Sequence, residues 1–126
     1  MGDVLFHGEL DFVIPPKSNR YFHTGRKFVF IPQRIREAVE DAILILRSMY
    51  SGKPINKPVT VEIRYSFKDN RKRDLDNLTK TLLDVLEDAG ILDDDKFVYK
   101  LSIEKKVKQE EEKTEIRILR YHDKQT

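Results

Sequence analysis

Two groups of carboxylates are the residues in this chain best suited to chemistry. Asp74 and Asp76 lie two residues apart, directly after the cations Arg71–Arg73, and a run of aspartates, Asp93–Asp95, follows about twenty residues later. Side chains at i and i+2 share a side only where the chain is extended, whereas on a helix they diverge by roughly 200°. Carboxylates are preferred ligands of Mg²⁺ and Mn²⁺, and adjacent cations could hold a polyanion. Each group therefore predicts half of a metal–phosphate site, provided that the fold brings the two together.

A purely structural role remains open for each aspartate. Asp76 or Asn77 could be the N-cap of a following helix, and Asp93–Asp95 could be a polar turn. Other metal and phosphate motifs fit poorly: an EF-hand loop beginning at Asp74 would need glycine where Thr79 stands. The five glycines do not form a phosphate-binding loop, and the three histidines are scattered without zinc-ligand spacing.

Lys80 favours the functional interpretation. It falls in the first turns of the predicted second helix, where the helix dipole disfavours a cation. An ion pair between Lys80 and Asp84, four residues later, would stabilise the helix less than the reverse order, because here the base precedes the acid. A lysine that breaks this local rule beside clustered aspartates is better explained by an anionic partner.

Composition limits the class of protein. The 126 residues predict one domain, 1–126. Charged residues make up 37% of the chain but the net charge is only +2, so a nucleic-acid surface must be local. The lack of cysteine excludes thiol catalysis, thiolate zinc sites and disulfides, and is typical of a reducing cytoplasm. We expect no signal peptide and no membrane span, and therefore a cytoplasmic protein.

Hydrophobic periodicity and turn residues predict the elements that position these side chains. The first strand should contain Leu10, Phe12 and Ile14, followed by a loop or loose hairpin at 17–27. The other predicted elements are a strand at 28–30, a helix at 32–49, a strand at 59–67, a helix capped by Asp76 or Asn77 that ends before Gly90, and strands at 97–104 and 114–121. The order ββαβαββ predicts an α+β fold, with a mixed or mostly antiparallel sheet of about four strands and both helices on one face.

These motifs resemble the RusA family of Holliday junction resolvases. The resemblance covers residues 71–80, then Asp84, Ala89-Gly90, Asp94-Asp95 and Val98; residues 15–21 also resemble the family's proline-rich entry segment, with one inserted lysine. It implies a small homodimeric, Mg²⁺-dependent endonuclease that nicks four-way DNA junctions symmetrically, with Mn²⁺ as a possible substitute. By position it makes Asp74, Asp76 and Asp95 the metal-binding carboxylates, Asp94 a helper and Lys80 the catalytic lysine.

Basic residues in two segments are the candidate contacts to the DNA backbone. They are Lys17, Arg20 and Arg26 near the N-terminus and Arg71, Lys72 and Arg73 beside the aspartates. Such contacts position a nucleic acid without reading its bases. Two other functions remain open from the sequence: a non-catalytic protein that binds branched DNA, and a metal-dependent phosphodiesterase that acts on flaps, forks or RNA.

Overall fold

The computed structural model describes residues 3–16, 20–23, 26–29 and 32–123, and it describes 20–23 and 26–29 by their backbone alone. Within these ranges the chain forms six strands, two α-helices and one short 3₁₀ turn. In chain order they are β1 (Val4–Leu10), β2 (Arg20–His23), β3 (Arg26–Val29), α1 (Gln33–Ser48), β4 (Val59–Ser66), α2 (Leu75–Asp88), the 3₁₀ turn (Asp95–Phe97), β5 (Val98–Lys106) and β6 (Lys113–Arg120). None of the described helices is both long and apolar enough to cross a membrane.

Four strands form a mixed sheet in the order β1-β6-β4-β5, and β2 and β3 form a separate hairpin. Strands β1, β6 and β4 are paired antiparallel, but β4 and β5 run parallel, from Val59 opposite Val98 to Ser66 opposite Lys106. The predicted mixed sheet of an α+β fold is therefore confirmed. Helix α2 connects β4 to its parallel neighbour β5. The start of β5 therefore lies beside the start of β4, at the end of the sheet opposite to the one where β4 ends.

The core lies between the sheet and the two helices. Alternate residues of β4 and every third or fourth residue of the helices are buried, namely Val59, Val61, Ile63 and Tyr65, then Ile35, Val39, Ala42 and Leu46, and then Leu78, Leu82, Val85 and Leu86. The other sheet face carries ion pairs, in which Arg64 lies 2.8 Å from Glu104 and 3.4 Å from Glu115. These charges suit a face turned to solvent, so the helices cover one face of the sheet only.

The first strand differs from the prediction. β1 ends at Leu10, opposite Thr114 near the start of β6, so pairing stops there and Phe12 and Ile14 lie beyond the strand. The hydroxyl of Thr114 donates to the carbonyl of Phe12 at 2.8 Å, which ties the departing chain to the sheet. Of the loop or loose hairpin expected at 17–27, the described residues form a hairpin, in which β2 pairs with β3. Three strands therefore precede α1, instead of two.

Candidate active site

Asp74 is the N-cap of α2. It has an extended backbone, and its Oδ1 accepts the backbone N–H groups of Asp76 at 3.0 Å and Asn77 at 3.3 Å. Its Oδ2 accepts the side-chain amide of Asn77 at 3.0 Å. The predicted cap, Asp76 or Asn77, was therefore placed two or three residues too late, because Asp74 satisfies the first free N–H groups. The two aspartates consequently do not share an extended segment, since Asp76 belongs to the first turn of the helix.

The side chains of this helix start are accessible. Asp74 and Asp76 are both exposed. A carboxylate has about four acceptor positions, so the capping bonds leave Asp74 able to bind a cation as well. Lys80 is also exposed, lies one turn after Asp76 on the same face, and makes no ion pair within the described residues. Among the described residues, this helix start thus combines two carboxylates that could bind a cation with a lysine that could contact a phosphate.

The basic loop before α2 is held by Arg73. Its guanidinium lies 3.8 Å from the centre of the Phe67 ring and donates to Asp69 at 2.8 Å, and its side chain is only 13% exposed. The hydrogen bond from Arg73, together with the N–H of Arg71, holds the pKa of Asp69 below its usual value. Arg73 is therefore committed to protein partners. Arg71, 77% exposed, and the exposed Lys72 remain available to a polyanion.

The other predicted DNA contacts are only partly visible. Lys17 lies outside the described residues, and Arg20 and Arg26 lie in strands whose side chains are not described. Their contacts with DNA remain a prediction.

A cleft of about 470 Å³ opens directly beside Asp74. Its basic lining is Arg34, Arg71, Lys72 and Arg73; its apolar lining is Val13, Pro15, Pro16, Phe67 and Leu78; Glu112 is its second acid. Arg34, from the first turn of α1, was not among the residues selected from the sequence. Nothing local distinguishes it from Arg36 two residues later, and only the fold brings it to the cleft.

The second group of aspartates lies at the opposite end of α2. Asp94 caps the 3₁₀ turn by accepting the N–H of Lys96 at 2.9 Å, which lowers the pKa of Asp94. The pKa of Glu87, in the last turn of α2, is raised by burial and by the charges of Asp95 and Asp94. Glu87 also accepts the backbone N–H of Asp95 and so helps to position it. Asp95 itself is exposed, and the sequence patterns did not indicate Glu87.

The two groups of aspartates do not meet within one chain. The 14 residues of α2 span about 21 Å at 1.5 Å per residue. Helix α2 connects the end of β4 to the start of the parallel strand β5. It therefore runs back along the sheet, and Asp74 and Asp95 lie near opposite ends of the strands. Accordingly, the part of the chain that the structure describes contains no group of three or more acidic or histidine side chains able to hold a metal ion. A metal site built from both groups of aspartates would therefore need more than this single copy.

Comparison with known proteins places these features in a family. Residues 11–119 match the family described as Endodeoxyribonuclease RusA. The chain is 36% identical over 103 residues, 82% of each chain, to a crossover junction endodeoxyribonuclease RusA of Aquifex aeolicus (strain VF5). Proteins with the same name from Shigella sonnei (strain Ss046) and Enterobacteria phage 82 are each 32% identical over 81 residues, 64% of this chain and 68% of theirs. This chain therefore belongs to the RusA family of endodeoxyribonucleases.

Proposed function

We propose that this chain is a cytoplasmic, metal-dependent endodeoxyribonuclease, a single domain over 1–126, that resolves four-way DNA junctions by paired nicks. The observation that carries the proposal is the start of α2. There, Asp74 and Asp76 are exposed, Lys80 makes no ion pair with the described residues, and Asp74 lines a basic cleft. The curated relatives of the chain are named crossover junction endodeoxyribonucleases. Acids that bind a cation and bases that bind phosphate are what metal-assisted phosphodiester hydrolysis requires.

The proposed metal ligands are Asp74 and Asp76 of one copy with Asp95, helped by Asp94, of a second copy. An oxygen-only set suits Mg²⁺, with Mn²⁺ as a substitute. When bound, such an ion supplies Lewis-acid stabilisation of the phosphate and a bound water of lowered pKa. Lys80 would place its ammonium against charge that grows on the phosphoryl oxygens. Arg71 and Lys72 would hold the DNA backbone, together with the predicted contacts Lys17, Arg20 and Arg26.

The geometry of α2 supports a homodimer as the active form. If the α2 helices of two copies lie antiparallel about a twofold axis, the start of each helix meets the end of the other. Asp76, Lys80, Leu83 and Glu87 follow one another along one helix face, and Leu83 near the middle is only partly buried. Such an interface is isologous and creates two equivalent sites, which suits two symmetric cuts.

The test of this function is Asp74→Asn, assayed with and without Mg²⁺ on a four-way junction, a flap and a linear duplex. Asparagine is a good N-cap, so the variant removes the charge and keeps the helix start. We expect junction binding to be retained and cleavage to fall by at least about a hundredfold. Asp41→Asn, an exposed acid on α1, is the matched control and should cleave normally.

The panel also separates the alternatives. Full cleavage by Asp74→Asn would contradict the catalytic role of this aspartate. Binding by the unaltered protein without any divalent-dependent cleavage would indicate a non-catalytic branched-DNA protein. Faster cleavage of the flap than of the junction would assign a different phosphodiester substrate.

A further inference from the structure

The lining of the cleft beside Asp74 combines cationic and apolar residues with two acids, Asp74 and Glu112. Two of its cations come from separate elements, Arg34 from α1 and Lys72 from the loop before α2. Its apolar residues include Val13, Pro15 and Pro16. Proline has no backbone N–H and valine no polar side-chain atom, so this apolar lining offers contact area and few hydrogen bonds.

The cations of the cleft differ in whether they already contact other side chains of the protein. Arg73 is held by Phe67 and Asp69, and Arg71 is near Asp69 at 3.7 Å. Arg34 and Lys72 are exposed and form no ion pair with the described carboxylates. Two cations without an ion-pair partner among the described residues thus line the same cleft as the proposed metal ligand Asp74.

Size restricts what the cleft can take. A volume of about 470 Å³ lies in the range of pockets for single small ligands. It suits one nucleotide, whereas a duplex would have to remain outside. A phosphate fits the cationic lining, and a base fits the apolar lining. Both contacts are made together only by a nucleotide whose base is not held in a paired stack.

We propose that this cleft binds one unpaired nucleotide of the strand to be cut, with its phosphate held by Arg34 and Lys72 and its base against Val13, Pro15 and Pro16. The proposal rests on the proposed function and adds a source of substrate choice to it. A branch point supplies nucleotides that leave the stack at low cost, whereas an intact duplex does not. Arg34 is accordingly a DNA-binding residue that selects branched substrates.

The first experiment compares Arg34→Ala with Arg36→Ala, a cation two residues away on α1 that does not line the cleft. We expect Arg34→Ala to weaken junction binding about tenfold. The slope of log affinity against log salt should fall by about one. Arg36→Ala should leave both quantities unchanged. Thermal unfolding midpoints equal to that of the unaltered protein would show that both variants keep their fold. Equal binding by the two variants would overturn the role of Arg34.

The second experiment tests the unpaired nucleotide. 2-Aminopurine is placed in turn at each nucleotide around the branch point, and its fluorescence is recorded without divalent cation, so that no cut occurs. We expect the fluorescence at one position to increase when the unaltered protein or Arg36→Ala binds. It should not increase with Val13→Asp, which puts a negative charge into the apolar lining of the cleft. No brightening at any position would refute the nucleotide site. Both readouts measure binding alone, so they remain informative even if the cleavage panel fails.

Discussion

At the scale of single residues, Asp74 serves the fold and the proposed chemistry with the same carboxylate. Its oxygens satisfy the N–H groups of Asp76 and Asn77, and the same group is a proposed metal ligand. Alanine would remove the cap together with the charge, and loss of a cap costs about 1 kcal/mol. Asparagine removes the charge alone. A loss of cleavage in Asp74→Asn can therefore be assigned to chemistry.

Tyr65 gives a prediction about stability at high pH. Its hydroxyl is buried and lies 2.9 Å from the hydroxyl of Thr79. Burial raises the pKa of Tyr65 to about 12, against a partial lowering by Thr79. The folded state therefore holds this proton more tightly than the unfolded state. The resulting stability is complete below pH 10 and is lost as the pH rises from about 10 to 12. We expect a loss of about 3 kcal/mol, measured by denaturant unfolding.

Tyr65→Phe is the control for this titration. The variant cannot ionise at position 65, so its stability should fall less than that of the unaltered protein over the same pH range. Subtracting the two curves removes the contribution of lysines and the other tyrosines. Parallel curves would show that Tyr65 is not the group responsible.

At the scale of elements, strong periodicity explains which parts of the fold could be predicted. α1, α2 and β4 bury regular apolar faces, so their patterns are visible without tertiary information. β1 was misplaced because its inward positions include Gly8. A Cβ there would lie 2.6 Å from the Phe6 ring and 3.0 Å from Leu46, so packing requires glycine where the pattern needs an apolar residue.

The residue types of the candidate site can be selected from the sequence, but their arrangement cannot. The residue types and spacing identified both groups of aspartates and Lys80. The relation between the groups depends on β4 and β5 pairing in parallel, which is a long-range choice that no local pattern encodes. Arg34 could not be selected from the sequence for the same reason, since the other residues that line its cleft are distant in sequence.

The end of α2 is controlled by Gly90, which leads to a prediction for this element. Gly90 has φ +74°. Its N–H donates to the carbonyl of Glu87 at 3.0 Å and the N–H of Ile91 donates to the carbonyl of Leu86 at 3.0 Å, which together form a Schellman motif. An added Cβ would meet no atom within 4 Å, so the cost of substitution is one of backbone conformation alone. We expect Gly90→Ala to reduce the free energy of unfolding by about 1 kcal/mol and Gly90→Asn by less. Equal effects of the two variants, in denaturant unfolding, would argue against this explanation.

At the scale of the whole molecule, the chain has exposed features that a second copy would use. α2 presents acids at both ends and the partly buried Leu83 between them. The edge strand β5 leaves Leu101 42% exposed on the side of the sheet that carries the helices. The strand predicted at 97–104 is confirmed as β5, although its apolar positions are not fully buried. In the proposed dimer, an antiparallel pair of α2 helices would cover Leu83 and bring the two groups of aspartates together.

Mixing two inactive variants tests whether the site is shared between copies. In a dimer of one Asp74→Asn chain and one Asp95→Asn chain, a shared arrangement places both substitutions in one site and leaves the other site intact. Random pairing after joint refolding makes half of the dimers mixed. We therefore expect about one quarter of the unaltered protein's nicking activity, as single nicks, from two proteins that are inactive alone. The measurement is cleavage of a labelled junction with Mg²⁺. Mixing Asp74→Asn with Asp76→Asn should restore nothing, because both residues belong to the same half-site and no pairing leaves an intact site. If the Asp74→Asn and Asp95→Asn mixture also stays inactive while mixed dimers are shown to form, the two groups of aspartates do not act across the dimer.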